Sequence, residues 1–140
     1  MPITRPSRPA LFMLAPVCAL LLAACGTAVS TSSFKGEQHA IAQEIADFQS
    51  HATSSEQGKI CEGDLAAAVV RRLGGKSGCE AAIKLQLNEV DSLEVSLQSV
   101  QIGAGGTTAT AHVKSTYKGK LKPGTLTLTK EGGKWKIAGL

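Results

Sequence analysis

The chain has 140 residues, 43% of them hydrophobic and 19% charged, with 15 Lys and Arg against 11 Asp and Glu. That length suits one domain around one core and excludes a multidomain assembly. An aromatic content of 4% excludes a protein that stacks bases or sugars along a broad face. At the N-terminus, Arg5 and Arg8 precede an apolar run over residues 10–22, closed by the small residues Ala23, Ala24 and Cys25. A helix crossing a bilayer needs about 20 apolar residues. The shorter run after a basic start therefore reads as an export signal, not as a membrane anchor.

Leu22-Ala23-Ala24-Cys25 resembles the lipobox of bacterial lipoproteins. The resemblance implies diacylglycerol transfer to the Cys25 sulfur, cleavage before Cys25 and acylation of the new amino terminus. Several acyl chains give stable anchoring where one does not. The expected location is the extracytoplasmic face of the cell membrane. Residues 26–33 are small and polar and are expected to form a flexible tether. The expected organisation is a leader over 1–24, a tether over 25–33 beginning with lipidated Cys25, and a folded domain over 34–140. Cys18 belongs to the leader.

The charge is divided along the mature chain. Residues 35–99 carry six basic and ten acidic residues, whereas residues 100–140 carry seven lysines and one Glu. In the acidic half, Ile41, Ile45 and Phe48 make one helical stripe within residues 37–52. Residues 53–58 break it. A second helix is expected over 64–73, with Leu65, Val69 and Leu73 on one face and Asp64 at its start. Arg71 and Arg72 suit its negative C-terminal end, and Gly74-Gly75 stops it. A third helix is expected from Ser77, where Ser77-x-x-Glu80 forms a capping box. Its apolar face is Cys79, Ile83 and Leu87.

The period then changes to two. Leu93, Val95 and Leu97 alternate with polar residues, and Val100 and Ile102 continue out of phase, which predicts a bulge near Gln98 and Ser99. Residues 103–106 turn the chain into a strand over 107–117. Lys122-Pro123-Gly124 reads as a turn or strand break, followed by strands over 125–130 and 134–138. The inward face is read as Ala109, Ala111, Val113, Tyr117, Leu126, Leu128, Trp135 and Ile137. Strands joined by Gly-rich turns, following helices, predict an α+β domain with N-terminal helices packed on a bent antiparallel sheet.

Helices first, then a sheet ending in Glu131-Gly-Gly-Lys-Trp-Lys-Ile137, resembles the nuclear transport factor 2-like superfamily, which includes isomerase and cyclase enzymes. The likeness is closer to exported actinobacterial members with one cysteine before the second helix and another at the third, here Cys61 and Cys79. It would cover residues 34–140 and implies a cone-like fold with room for a pocket between sheet and helices. In an exported chain the two remaining cysteines point to one disulfide, Cys61–Cys79, with two buried free thiols as the alternative. A ten-residue helix spans about 15 Å, and bridged Cα atoms lie about 4.4–6.8 Å apart. The glycines at 74, 75 and 78 must therefore carry the chain back along the second helix. No metal site is expected, because two cysteines without a nearby His pair do not supply zinc's ligands.

Acid–base chemistry needs a buried ionisable group beside the substrate. The inward strand face offers one hydroxyl, Tyr117, and no carboxylate. Asp47 is expected to be solvated, Asp64 to start a helix, and His39, His51 and His112 to lie at the surface. No nucleophile elbow, phosphate loop or zinc-binding His-Glu-x-x-His is present. Lysines 114, 118, 120, 122, 130, 134 and 136 read as a solvated sheet face that also blunts edge strands. They permit attraction to anionic headgroups or wall polymers. Export and the shortage of aromatics exclude nucleic acid as partner. The resulting expectation is a membrane-anchored binding or scaffolding domain of the cell envelope, without cofactor or catalytic residues, whose partner is an envelope protein or anionic polymer. A small pocket enzyme of the isomerase or cyclase kind and a carrier of small apolar ligands are the alternatives. The sequence leaves oligomeric state open.

Overall fold

The computed structural model describes residues 29–90, 93–117 and 119–139. Cys25, the residues read as a leader, Lys118 and the side chain of Tyr117 lie outside the described residues. Helix α1 spans Glu37–Thr53. A short helix α2, Gln57–Lys59, runs into a π-helical turn over Ile60–Asp64. Helices α3, Ala67–Arg72, and α4, Gly75–Asn88, follow. Strands β1, Glu94–Ile102, β2, Thr108–Tyr117, β3, Lys120–Glu131, and β4, Lys134–Gly139, complete the order. They form one antiparallel meander in the order β1-β2-β3-β4. The domain is therefore α+β, with the helices on one face of an open antiparallel sheet.

The core lies between that face and the helices. Ala109, Ala111, Val113, Leu126, Leu128, Trp135 and Ile137 are all buried, as their alternation requires. Ile41 and Ile45 of α1 and Cys79 and Ile83 of α4 cover them. The register of β1 against β2 shifts between Leu97 and Ser99. Gln98 is the extra residue, and the bulge brings Val100 back to the inner face.

Several boundaries differ from the sequence expectation. The domain begins before Phe34: Val29 is 5% exposed and belongs to the core. Of the stretch read as tether, Val29 is buried and Thr31 half-buried, while Ser30, Ser32 and Ser33 are exposed. The second helix is shorter than expected. Asp64 does not start it but ends the π-helical turn, 3% exposed. The carboxylate of Glu131 instead accepts the Ala67 N–H at the start of α3. Helix α4 begins at Gly75, before Ser77, so Ser77 caps nothing; Gly74 precedes the helix with φ 93°. Gly74 and Gly75 both hold positive φ and reverse the chain, so that α4 starts two residues earlier than expected. Finally, β3 is continuous through Pro123, which pairs in register with Lys114. β4 pairs only with residues from Thr127 onward, so Pro123 sits where β3 has a single neighbour and a missing donor is tolerated.

Candidate functional site

The carboxyl end of the short helix α3 leaves a gap between the helices and β4. The gap is a cavity of about 320 Å³. Ile60, Leu65 and Ile137 form its floor, with Phe48 of α1 and Ile83 and Leu87 of α4 as walls. Val69 and Leu73 line it from α3, together with Ala138 and Gly139 at the end of β4. Its polar groups are Arg72 and Gln86. Both residues are exposed, and the Arg72 Nη2 donates to the Ala138 carbonyl at 3.5 Å. Among the described lining residues there is no carboxylate, imidazole, thiol or hydroxyl. Such a surface can hold an apolar body.

The disulfide frames this cavity. The Sγ atoms of Cys61 and Cys79 are bonded, with Cα atoms 6.0 Å apart. The bond ties the π-helical turn, which carries Ile60, to α4, which carries Ile83 and Leu87. The chain reversal at Gly74 and Gly75 makes the approach possible. α4 folds back against α3 so closely that a Cβ on Gly78 would clash with the Leu73 carbonyl oxygen.

A second group of residues carries the ionisable chemistry, and it lies beside the cavity, not in it. His51 Nδ1 stands 2.8 Å from Asp64 Oδ2. Burial pushes the Asp64 carboxyl above its ordinary range, while the His51 hydrogen bond and charge pull it down without fully offsetting burial. Glu44 is half-buried on α1, and burial raises its carboxyl to about 7. The charge of Asp64 adds to the shift, and Lys136 opposes it. Among the described residues its Oε1 is buried without a hydrogen-bond partner. The Lys136 ammonium donates to the Gly63 carbonyl, so β4 grips the π-helical turn. Asp47 accepts from Gln43 at 2.9 Å on the exposed side of α1.

The sequence treated Asp47, Asp64 and His51 as unrelated surface or helix-start residues. The structure corrects this for two of them: Asp64 is buried and His51 is its half-buried partner. Glu44 was missed. Its signal is its spacing from Asp47 and His51, i, i+3 and i+7, which puts all three on one flank of α1. None of these residues lines the cavity. His39 remains exposed and donates to the Thr31 carbonyl, and His112 is exposed beside Thr125. Among the described residues no three His, Cys, Asp or Glu side chains converge where a metal ion would sit.

The lysines also divide. Lys114, Lys120, Lys122 and Lys134 are exposed, as a solvated face requires. Lys130 and Lys136 are half-buried and engaged. Lys130 Nζ donates to both oxygens of Glu37, at 2.9 and 3.0 Å, and lies over the Trp135 ring. Trp135 Nε1 donates to the same carboxylate at 2.7 Å. Hydrogen bonds from Lys130 and Trp135 hold the Glu37 carboxyl below its ordinary range.

No protein-family model matches the chain, and no curated protein matches it. Among solved structures, one titled Rd1NTF2_05, in a substituted form, is 15% identical with a TM-score of 0.46, over 69% of this chain and 91% of its own. The architecture is defined here by the chain's own strand order and register.

Proposed function

We propose that the protein is a lipid-anchored, extracytoplasmic binding domain of the nuclear transport factor 2-like type, which holds a small apolar molecule and does no chemistry on it. The observation that carries this is the separation of cavity from acid–base groups. The 320 Å³ cavity is lined by aliphatic side chains and Phe48, with Arg72 and Gln86 as its polar groups, while Glu44, His51 and Asp64 stand outside it. The isomerase or cyclase reading needs one of those groups inside. The lipobox at Cys25 supports export and anchoring, and the Cys61–Cys79 bond suits an oxidising compartment.

The test is a titration with N-phenyl-1-naphthylamine, a fluorescent apolar probe. Saturable binding is expected at one site per chain. Leu87→Trp, which fills the cavity from the half-buried wall of α4, is expected to weaken it by at least tenfold while leaving the unfolding midpoint nearly unchanged. Absence of saturable binding, or equal binding by the variant, would contradict the proposal.

A further inference from the structure

We infer that the end of the domain carrying the α1 N-terminus is its membrane-facing surface. This rests on the proposed acylation of Cys25 and specifies what that anchoring does.

The geometry begins with Val29. Its side chain is 5% exposed and packed in the core. The chain after it is also fixed: the Thr31 carbonyl accepts from His39 and from the Phe34 N–H at 3.1 Å, and Phe34 packs on the core. Four residues step from Cys25 to Val29. A fully extended chain covers at most about 3.6 Å per residue, so Cys25 stays within about 14 Å of Val29.

That reach is short against the domain. Helix α1 has 17 residues and is about 25 Å long. Its N-terminal end is bound over one end of the sheet by Gln38, which donates to the Val100 carbonyl at 3.0 Å, and by the contacts of Glu37 with Lys130 and Trp135. Its other end is bound where β1 begins, by Gln49 donating to the Leu93 carbonyl at 3.2 Å. The near end therefore carries the turns at 103–107 and 131–134, with exposed Lys35 and Lys134. These lysines suit the headgroups of an anionic lipid surface. The far end carries the β2–β3 hairpin with exposed Leu121. An acyl anchor on so short a leash holds the near end at the headgroups.

The experiment uses the full acylated protein in phosphatidylcholine–phosphatidylglycerol vesicles that contain a nitroxide-headgroup lipid. A fluorescent unnatural residue replaces either Gly105, in the near turn, or Leu121, at the far hairpin. Quenching several-fold stronger at 105 than at 121 is expected. A long Gly-Ser spacer inserted between Ala28 and Val29 should remove the difference. Equal quenching at both positions, or stronger quenching at 121, would overturn the placement while leaving the anchor intact. Mass spectrometry of the same sample separates the other failure: a chain without a diacylglyceryl group on Cys25 would overturn both the anchoring and the placement.

Discussion

Among the described residues one carboxylate oxygen of Glu44 is buried without a hydrogen-bond partner, and the carboxyl, normally at 4.5, is raised to about 7. The folded chain therefore binds a proton more tightly than the unfolded chain does. The stability this gives is complete below pH 4.5 and is lost as pH rises toward 7. Asp64 is shifted the same way by burial and adds to the same trend. Glu44→Gln keeps the shape and removes the charge. It is expected to match the parent in urea unfolding at pH 4.5 and to exceed it by about 2 kcal/mol at pH 8, part of the full shift being lost to solvent screening. An unchanged difference between the two pH values would contradict the assignment. This cluster was half legible in the sequence. Periodicity places Glu44, Asp47 and His51 on one flank of α1. It cannot show that Asp64 and Lys136, brought in by the π-helical turn and by β4, stand opposite them.

At the scale of elements, the corner between α3 and α4 and its disulfide are the most constrained features. Gly78→Ala would drive a Cβ into the Leu73 carbonyl, and overpacking against backbone costs about 1–3 kcal/mol. Gly58→Ala is the control, because its Cβ would meet only the Glu80 side chain at 3.6 Å. Urea midpoints are expected to fall for Gly78→Ala and to stay near the parent for Gly58→Ala. The double variant Cys61→Ser, Cys79→Ser is expected to lose about 3 kcal/mol by loop-entropy reasoning. It should also weaken the apolar probe, because Ile60 and the α4 wall are no longer tied together. Full probe affinity in a clearly destabilised double variant would show that the bond does not shape the cavity.

The inner faces of β1, β2, β4 and the second half of β3 were legible, since a period of two against one buried face admits little else, but the first half of β3 was not. The Gln98 bulge was visible as a break in phase. Pro123 misled because its cost depends on which neighbour its strand has, and that is a property of the sheet. The π-helical turn left no pattern of its own: Ile60, Cys61 and Asp64 are buried at i, i+1 and i+4, a spacing that an ordinary α-helix also gives. Without it, α3 reads as starting at Asp64.

For the whole molecule, the division of charge at residue 100 follows the division between helices and sheet. It does not mark a single basic face, because Lys130 and Lys136 fasten the sheet to α1 and to the π-helical turn. The cavity was not legible. Its lining consists of the same Ile, Leu, Val and Phe that fill the core elsewhere, and it exists because a six-residue α3 is too short to close over Leu65 and Ile137. The most direct test of a cavity that binds an apolar molecule is the ¹³C-methyl spectrum during titration with N-phenyl-1-naphthylamine. The methyls of Ile60, Leu65, Ile83 and Ile137 are expected to shift together and saturate, while those of Val100 and Val113, buried elsewhere in the core, stay in place. Shifts confined to other methyls, or none at concentrations that saturate the fluorescence, would contradict the account.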